Sequence, residues 1–300
     1  MKDCIVPKKI RIGTRGSHLA LAQTQLFIDE LHKVYPDVDC EKVIIKTTGD
    51  KILDKPLLEF GGKAVFVTEF EAAMQDGLID YAVHSAKDMP MELMSGMDIV
   101  CVLGREDARD VLITRADYKI EEGSKAVVGT GSLSRQNQIK MIYPDVICQS
   151  LRGNVPTRIE KLRKGEFDGI ILAAAGLKRL GLHNEDDLRY EYFDTDKMIP
   201  AAGQGIIAVE GRKKDAQEFL QRISDKKAET ELLIERMVLR KLGAGCHEPI
   251  GVYSKLTDSE RIMLCVVKEC CGQMIKVSGE DENEFSAELA DRLVKQLVSY

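Results

Sequence analysis

The cations and hydroxyls of this chain gather where chemistry on an anion would need them. Arg15 and Ser17 follow a strand-like run at residues 10–14. Lys87 and Asp88 follow a buried run at 81–84. Thr130, Ser132 and Arg135 follow 126–129, while Arg152 and Arg158 flank the loop after 146–151. In parallel α/β sheets, ligands bind at the carboxyl ends of strands, beside helix N-termini that offer free N–H groups. Several separated arginines suit several separate carboxylates, each held by a charge-assisted pair. A carboxylate among such cations must do something else. Asp88 is placed to stabilise a developing cation and to pass protons. Each residue also has a plainer reading. A lone loop arginine is usually solvated surface, and Ser17 and Ser132 can simply cap helices. Lys87-Asp88 can be an exposed ion pair contributing about 0–1 kcal/mol, and His84 a hydrogen-bonded core histidine. Their recurrence at successive strand ends favours the anion site.

The second feature is a cysteine on a tight loop, in Gly243-Ala244-Gly245-Cys246-His247-Glu248-Pro249. Two glycines and a proline stop helix and strand alike. Little side-chain bulk flanks the sulfur, so a large group can approach Cys246 or stay attached to it. The plainer reading is a helix closed by Gly243. A Cys246–His247 nucleophile–base pair is disfavoured, because adjacent residues on a tight loop rarely orient that way.

These residues need elements to hold them. Strand-like runs alternate with helix-like ones through the first two thirds of the chain, including strands at 43–46 and 98–103 and helices at 155–164 and around Phe70 and Ala73. Between them, residues 47–63 are polar and glycine-rich and predict a mobile loop. Two echoes recur in the same order. Ile12-Gly13-Thr14 resembles Val128-Gly129-Thr130, and residues 77–83 resemble 165–171. They predict two similar α/β domains, with residues 198–210 crossing back to the first. From Glu229 a helix, the Cys246 loop, two or three strands and a closing helix predict a small α+β domain. The expected division is 1–103 with 199–222, then 104–198, then 223–300.

Composition narrows the class. Three hundred residues, 44% hydrophobic and 31% charged, exceed one core and suit two or three domains of a soluble protein. A net charge of -6 argues against nucleic-acid binding, though not against a local basic pocket. No apolar run approaches a membrane span, and the first residues lack the apolar core of a signal peptide. Eight scattered cysteines without a Cys-x-x-Cys pair suit reduced thiols in the cytoplasm rather than disulfides or a metal site. There is no P-loop, and Gly203-Gln204-Gly205 is too little for a dinucleotide site.

The longer motifs carry a resemblance. Arg11-Ile12-Gly13-Thr14-Arg15-Gly16-Ser17, Thr47-Thr48-Gly49-Asp50, Gly61-Gly62-Lys63, residues 82–90 around Lys87-Asp88, Gly104-Arg105-Glu106-Asp107, Ser150-Leu151-Arg152-Gly153-Asn154, Ala175-Gly176-Leu177-Lys178-Arg179, Pro200-Ala201-Ala202-Gly203-Gln204-Gly205 and Gly245-Cys246 resemble the porphobilinogen deaminase family, in order over residues 9–253. The resemblance implies two domains like those of two-lobed periplasmic binding proteins and a third carrying the cysteine. It implies head-to-tail condensation of four porphobilinogens with loss of ammonia. It also implies a dipyrromethane cofactor, joined to Cys246 by a thioether, that primes the chain. Each pyrrole bears two carboxylates, and loss of ammonia leaves a cationic azafulvene for Asp88 to stabilise. Arg15, Ser17, Lys87, Thr130, Ser132, Arg135, Arg152 and Arg158 would bind carboxylates of cofactor and substrate, with Arg179 and Gln204 beside them. Asp50, Lys63 and Phe66 would belong to the mobile loop and the helix behind it. A monomer is expected. One departure stands out: Ser134 occupies a position where the family usually has an arginine. The alternative is a non-catalytic anion-binding protein of the same fold.

Overall fold

The computed structural model describes residues 6–47, 67–213, 218–244 and 248–299. Cys246, Asp50, Lys63 and Phe66 lie outside them, as does most of the predicted mobile loop.

In chain order, the elements run β1 (Lys9–Thr14), α1 (His18–Val34), β2 (Asp39–Ile44), α2 (Thr68–Gln75), β3 (Tyr81–Ser85), a 3-10 turn (Ala86–Asp88), β4 (Met97–Leu103) and β5 (Asp110–Arg115). Then come β6 (Val127–Gly129), α3 (Leu133–Ile142), β7 (Ile147–Gln149), α4 (Val155–Arg163), β8 (Gly169–Ala173), α5 (Ala174–Arg179), β9 (Leu188–Tyr192) and β10 (Ile207–Arg212). The chain closes with α6 (Glu218–Gln221), α7 (Lys226–Lys241), β11 (Ile250–Leu256), β12 (Arg261–Cys270), β13 (Gln273–Glu282) and α8 (Ser286–Val298). By contacts the chain falls into two compact units, Met1–Arg105 with Ile206–Thr230, and Glu106–Gly205 with Glu231–Tyr300.

The first unit holds a five-stranded sheet in the order β2-β1-β3-β10-β4. β1 runs parallel to β2 and β3, and β10 runs antiparallel to β3 and β4. The second unit repeats this arrangement as β7-β6-β8-β5-β9, with β5 as the antiparallel strand between β8 and β9. A three-stranded antiparallel sheet, β11-β12-β13, follows. The chain therefore has two periplasmic-binding-protein-like α/β domains and a small C-terminal α+β domain.

The two α/β domains match atom by atom. Asp80 accepts the Arg11 N–H at 2.8 Å and returns its own N–H to the Arg11 carbonyl. Asp168 makes the same pair of bonds with Val127, again at 2.8 Å for the first. Ahead of each aspartate stands a glycine at positive φ, Gly77 at 68° and Gly165 at 75°, a backbone state that glycine adopts without steric cost. Thr14 and Thr130 are both fully buried at the ends of β1 and β6.

Local rules explain the helices. Ser17 caps α1 by accepting the Ala20 N–H, and Ser132 caps α3 by accepting that of Arg135. α1 buries Gln23, Thr24, Phe27, Ile28 and Leu31, one face of a helix. α7 ends as expected at Gly243, whose φ of 63° and the Ala244 N–H to Leu239 carbonyl bond make a Schellman closure. α7 also anchors β11: buried Glu235 accepts the N–H groups of Ser254 at 2.7 Å and Gly203 at 2.6 Å.

Two strands were not expected from the sequence. β5 and β9 follow loops rich in charge; β5 is apolar and buried almost throughout, while β9, Leu-Arg-Tyr-Glu-Tyr, alternates over only five residues. The second strand also begins earlier than the predicted 43–46, because residues from Asp39 pair with β1 from Lys9 onward.

Candidate carboxylate-binding and catalytic site

In the first domain, β1 and β3 lie side by side and parallel, so Arg15 and the Lys87-Asp88 turn leave the same edge of the sheet. That edge is tied together. Thr24 of α1 donates to Thr14 Oγ1 at 2.8 Å, and Gln23 Nε2 donates to Ser85 Oγ at 2.8 Å. The Ala86 N–H bonds the Ile206 carbonyl at 3.0 Å, so the turn is also fastened to the chain entering β10. Met89 is fully buried just beyond. Between these fixed points Lys87 is half-buried and Asp88 exposed. A carboxylate on a turn pinned at both ends is held in position while staying open to solvent.

In the second domain, Thr130, Ser132 and Arg135 follow β6, Arg152 and Arg158 follow β7, and Arg179 closes α5 after β8. The Thr130 N–H binds the Gln149 carbonyl at 3.0 Å, joining the first two of these loops. The Arg158 Nε–H binds the Gly153 carbonyl at 2.8 Å, which turns its guanidinium back over the same loop.

Three of the predicted residues sit differently from one another. Arg135 is committed: its Nη2 donates to Asp110 Oδ1 at 2.6 Å and to Gln204 Oε1 at 3.1 Å. Gln204 is fully buried, and its Nε2 donates to the Asp110 carboxylate at 2.6 Å and to the Ala108 carbonyl at 2.8 Å. Asp110, Arg135 and Gln204 thus close a ring. Gln204 was expected beside the ligand, yet it spends its amide on this ring from a buried position. Asp110, at the start of β5, is the hub.

Arg179 is the opposite case. Its Nη2 donates to the Gly205 carbonyl at 2.6 Å, and among the described residues no carboxylate forms an ion pair with it. Burial pulls its guanidinium down to about 10, against the attraction of Glu106. The neighbouring Lys178 absorbs the nearby acids instead, at 3.3 Å from Glu106 and 3.1 Å from Asp107. A bidentate bond from Arg109 further holds Asp107 well below the usual carboxylate range. Arg179 is therefore a desolvated cation, still charged at neutral pH, for which a ligand carboxylate would supply the ion-pair partner.

Ser134 is buried, and its Oγ accepts a hydrogen bond from Gln138 Nε2 at 3.0 Å. Gln138 in turn brackets Ile199, donating to its carbonyl at 2.9 Å and accepting its N–H at 2.7 Å. Position 134 serves packing here.

A family model described as porphobilinogen deaminase, dipyromethane cofactor binding domain, matches residues 10–219, and one for the C-terminal domain matches 229–299. The chain belongs to the porphobilinogen deaminase family. It is 45% identical to a porphobilinogen deaminase of Acetivibrio thermocellus, over 97% of this chain and 98% of the relative. Identity to that of Lachnospira eligens is 42%, over 94% and 98%, and to the probable porphobilinogen deaminase of Archaeoglobus fulgidus 40%, over 96% and 99%. The dipyrromethane of this family carries several carboxylates. The second domain fits such a group: hydroxyls at the N-terminus of α3, arginines on two adjoining loops, and Arg179 desolvated without a carboxylate among the described residues. Burial also pushes the thiols of Cys40 and Cys101 up, to about 11 and about 12, which leaves both protonated and unreactive.

Proposed function

We propose that the chain joins four porphobilinogen molecules head to tail, releases an ammonia for each, and delivers hydroxymethylbilane for tetrapyrrole synthesis. The observation that carries this is membership of the family across both matched segments, 10–219 and 229–299. In this reading, the dipyrromethane, attached through Cys246, supplies a covalent primer whose free pyrrole end receives each new unit.

The chain's own residues do the rest. Asp88, exposed on its pinned turn, stands against the cation left when ammonia departs and takes the proton that coupling releases. Lys87, Arg15 and Ser17 bind substrate carboxylates at the same strand edge. Thr130, Ser132, Arg152, Arg158 and Arg179 hold carboxylates of the primer and growing chain, and Arg135 and Gln204 shape that site through Asp110. Asp50, Lys63 and Phe66 keep the assignment that the resemblance implies, to the expected mobile loop and the helix behind it. Residues 1–103 with 199–222 form the catalytic domain, 104–198 the arginine-rich domain and 223–300 the anchor domain. The protein works as a cytoplasmic monomer, a reading supported by its cysteine pattern and its family, and its net charge of -6 leaves no role for nucleic acid. Among the described residues no helix is long and apolar enough to cross a membrane.

The test is an intact mass. Purified protein should exceed its sequence mass by one dipyrromethane and colour with acid Ehrlich reagent, and Cys246→Ala should abolish both signals. An unmodified, colourless protein that still consumed porphobilinogen would sink the primer reading.

A further inference from the structure

Three titratable side chains are buried on one face of the first domain, and the reaction as described leaves them idle. Glu210 on β10 is fully buried, and its Oε2 lies 3.0 Å from His84 Nε2 on β3. Its other oxygen, Oε1, is buried and meets no donor that carries a hydrogen in the ordinary ionised state. Glu71 on α2, also buried, faces Glu210, and its own Oε1 accepts the Met94 N–H at 2.6 Å. Two carboxyl groups can bond only if a proton lies between them. A proton on Glu71 satisfies the buried oxygen of Glu210 and completes a chain from Glu71 through Glu210 to His84. The Phe70 ring covers His84 edge-on at 5.0 Å.

The second domain shows that the fold does not need these groups. The register pairs Glu210 with Ala82, and Ile113 with Ile170, at the second residue of β3 and β8 respectively. By the same correspondence, Leu172 stands for His84 and Ile159 for Glu71. Ile113, Ile159 and Leu172 belong to one apolar core cluster. The same architecture is thus filled once with three aliphatic side chains and once with two acids and a histidine. Replacing buried charge by such side chains is often neutral or stabilising, so stability alone does not account for the polar version. It occurs in the domain that carries Asp88, on the strands that set the Asp88 turn. His84 is on β3, which runs directly into that turn, and Glu210 is on β10, whose entry carbonyl at Ile206 binds the Ala86 N–H.

We propose that Glu71, Glu210 and His84 form a one-proton latch that fastens α2 to the β3–β10 pair and so positions the Asp88 turn, holding only while the proton is present. Glu71 faces Glu210 from β10, His84 from β3 and the Met94 N–H from the segment before β4; these are the groups that decide whether it keeps its proton. Arg212, two residues along β10 from Glu210, is turned to the Met74 and Ile79 carbonyls and lies 3.7 Å from Asp80, away from the latch. Burial first, and the neighbouring Glu210 next, raise the Glu71 carboxyl above its ordinary value against the pull of the Met94 N–H. The folded protein therefore binds this proton more tightly than the unfolded chain does. Stability is complete below the ordinary glutamate range and is lost as pH rises through the raised folded-state value.

The inference rests on the assignment of Asp88 for its effect on turnover, while its thermal consequence stands apart from that assignment. Glu71→Gln keeps the shape and donates a hydrogen to Glu210 at every pH. The purified holoenzyme and this variant should melt together in acid and separate as pH rises, with the variant higher. Its kcat should stay within about twofold of wild type at the acid end, where Glu71 keeps its proton, and should hold where that of wild type falls as pH rises, at unchanged KM. Glu71→Ala, which removes the donor and orphans Glu210, should lose on the order of tenfold in kcat with KM little altered, as misplacement of a catalytic group does. The aliphatic set from the second domain, E71I/H84L/E210I, should fold and show no melting shift across the same pH window. Melting curves of wild type and Glu71→Gln that run parallel at all pH would overturn the latch, whatever Asp88 does. A separation in melting without any change in the kcat profile would overturn its link to the Asp88 turn.

Discussion

Asp88 and Arg179, the two side chains given the sharpest roles in the proposed reaction, are prepared differently. Asp88 is exposed, and its turn is fixed by bonds that others make. The expected consequence is that Asp88→Asn, similar in size and without the charge, leaves fold and covalent mass intact while kcat falls by roughly 10²-fold or more, the usual worth of a positioned acid–base group. Steady-state kinetics beside an intact mass would check it, and near-normal turnover would remove Asp88 from the chemistry. Arg179 is prepared by dehydration. Arg179→Gln removes a charge-assisted bond worth about 1.5–3 kcal/mol to a bound carboxylate, so KM for porphobilinogen should rise by about ten- to a hundredfold. The melting temperature should hold or increase, because a desolvated cation has gone. An unchanged KM would assign Arg179 to packing. The sequence shows the cations and hydroxyls well, since each simply follows a strand. It does not show Asp110 or Glu210, whose partners Arg135 and His84 lie 25 and 126 residues away along the chain. Their types gave no local sign, because an acid beside an apolar run reads as a strand end.

At the scale of elements, the equivalent strands β1 and β6 each carry a glycine for a steric reason. A Cβ on Gly129 would meet the Phe167 ring at 2.8 Å, and one on Gly13 would meet Ile79 Cδ1 at 2.5 Å. Phe167 and Ile79 are equivalent residues, each directly before the aspartate that ties the third strand to the first. Gly129→Ala should cost about 1–3 kcal/mol by overpacking, and adding Phe167→Leu should recover much of it. Urea unfolding of the single and double variants would measure this; additive losses would show that the ring is not the obstacle. The echo Ile12-Gly13-Thr14 and Val128-Gly129-Thr130 was legible because this contact leaves its mark on the sequence. β5 was not, because a strand buried on both faces loses the alternation that identifies strands, and in β9 that alternation spans only five residues.

For the whole molecule, the repeated sheet order explains why two short echoes were enough to infer two similar domains. What they could not reveal is that the copies differ in the interior of the first, where Glu71, His84 and Glu210 replace Ile159, Leu172 and Ile113. The copies differ also in where the central antiparallel strand comes from. In the second domain β5 precedes the strands it joins, and the sheet is complete at Tyr192. In the first, β4 ends at Leu103 and β10 does not begin until Ile207. At about 5–20 residues per second, a ribosome needs roughly 5–20 s to make the intervening chain. Throughout that interval the nascent first sheet has a gap between β3 and β4, with hydrogen-bonding edges that other chains could occupy. The domain translated first should therefore be finished last, and its dependence on chaperones during synthesis should exceed that of the domain that follows it.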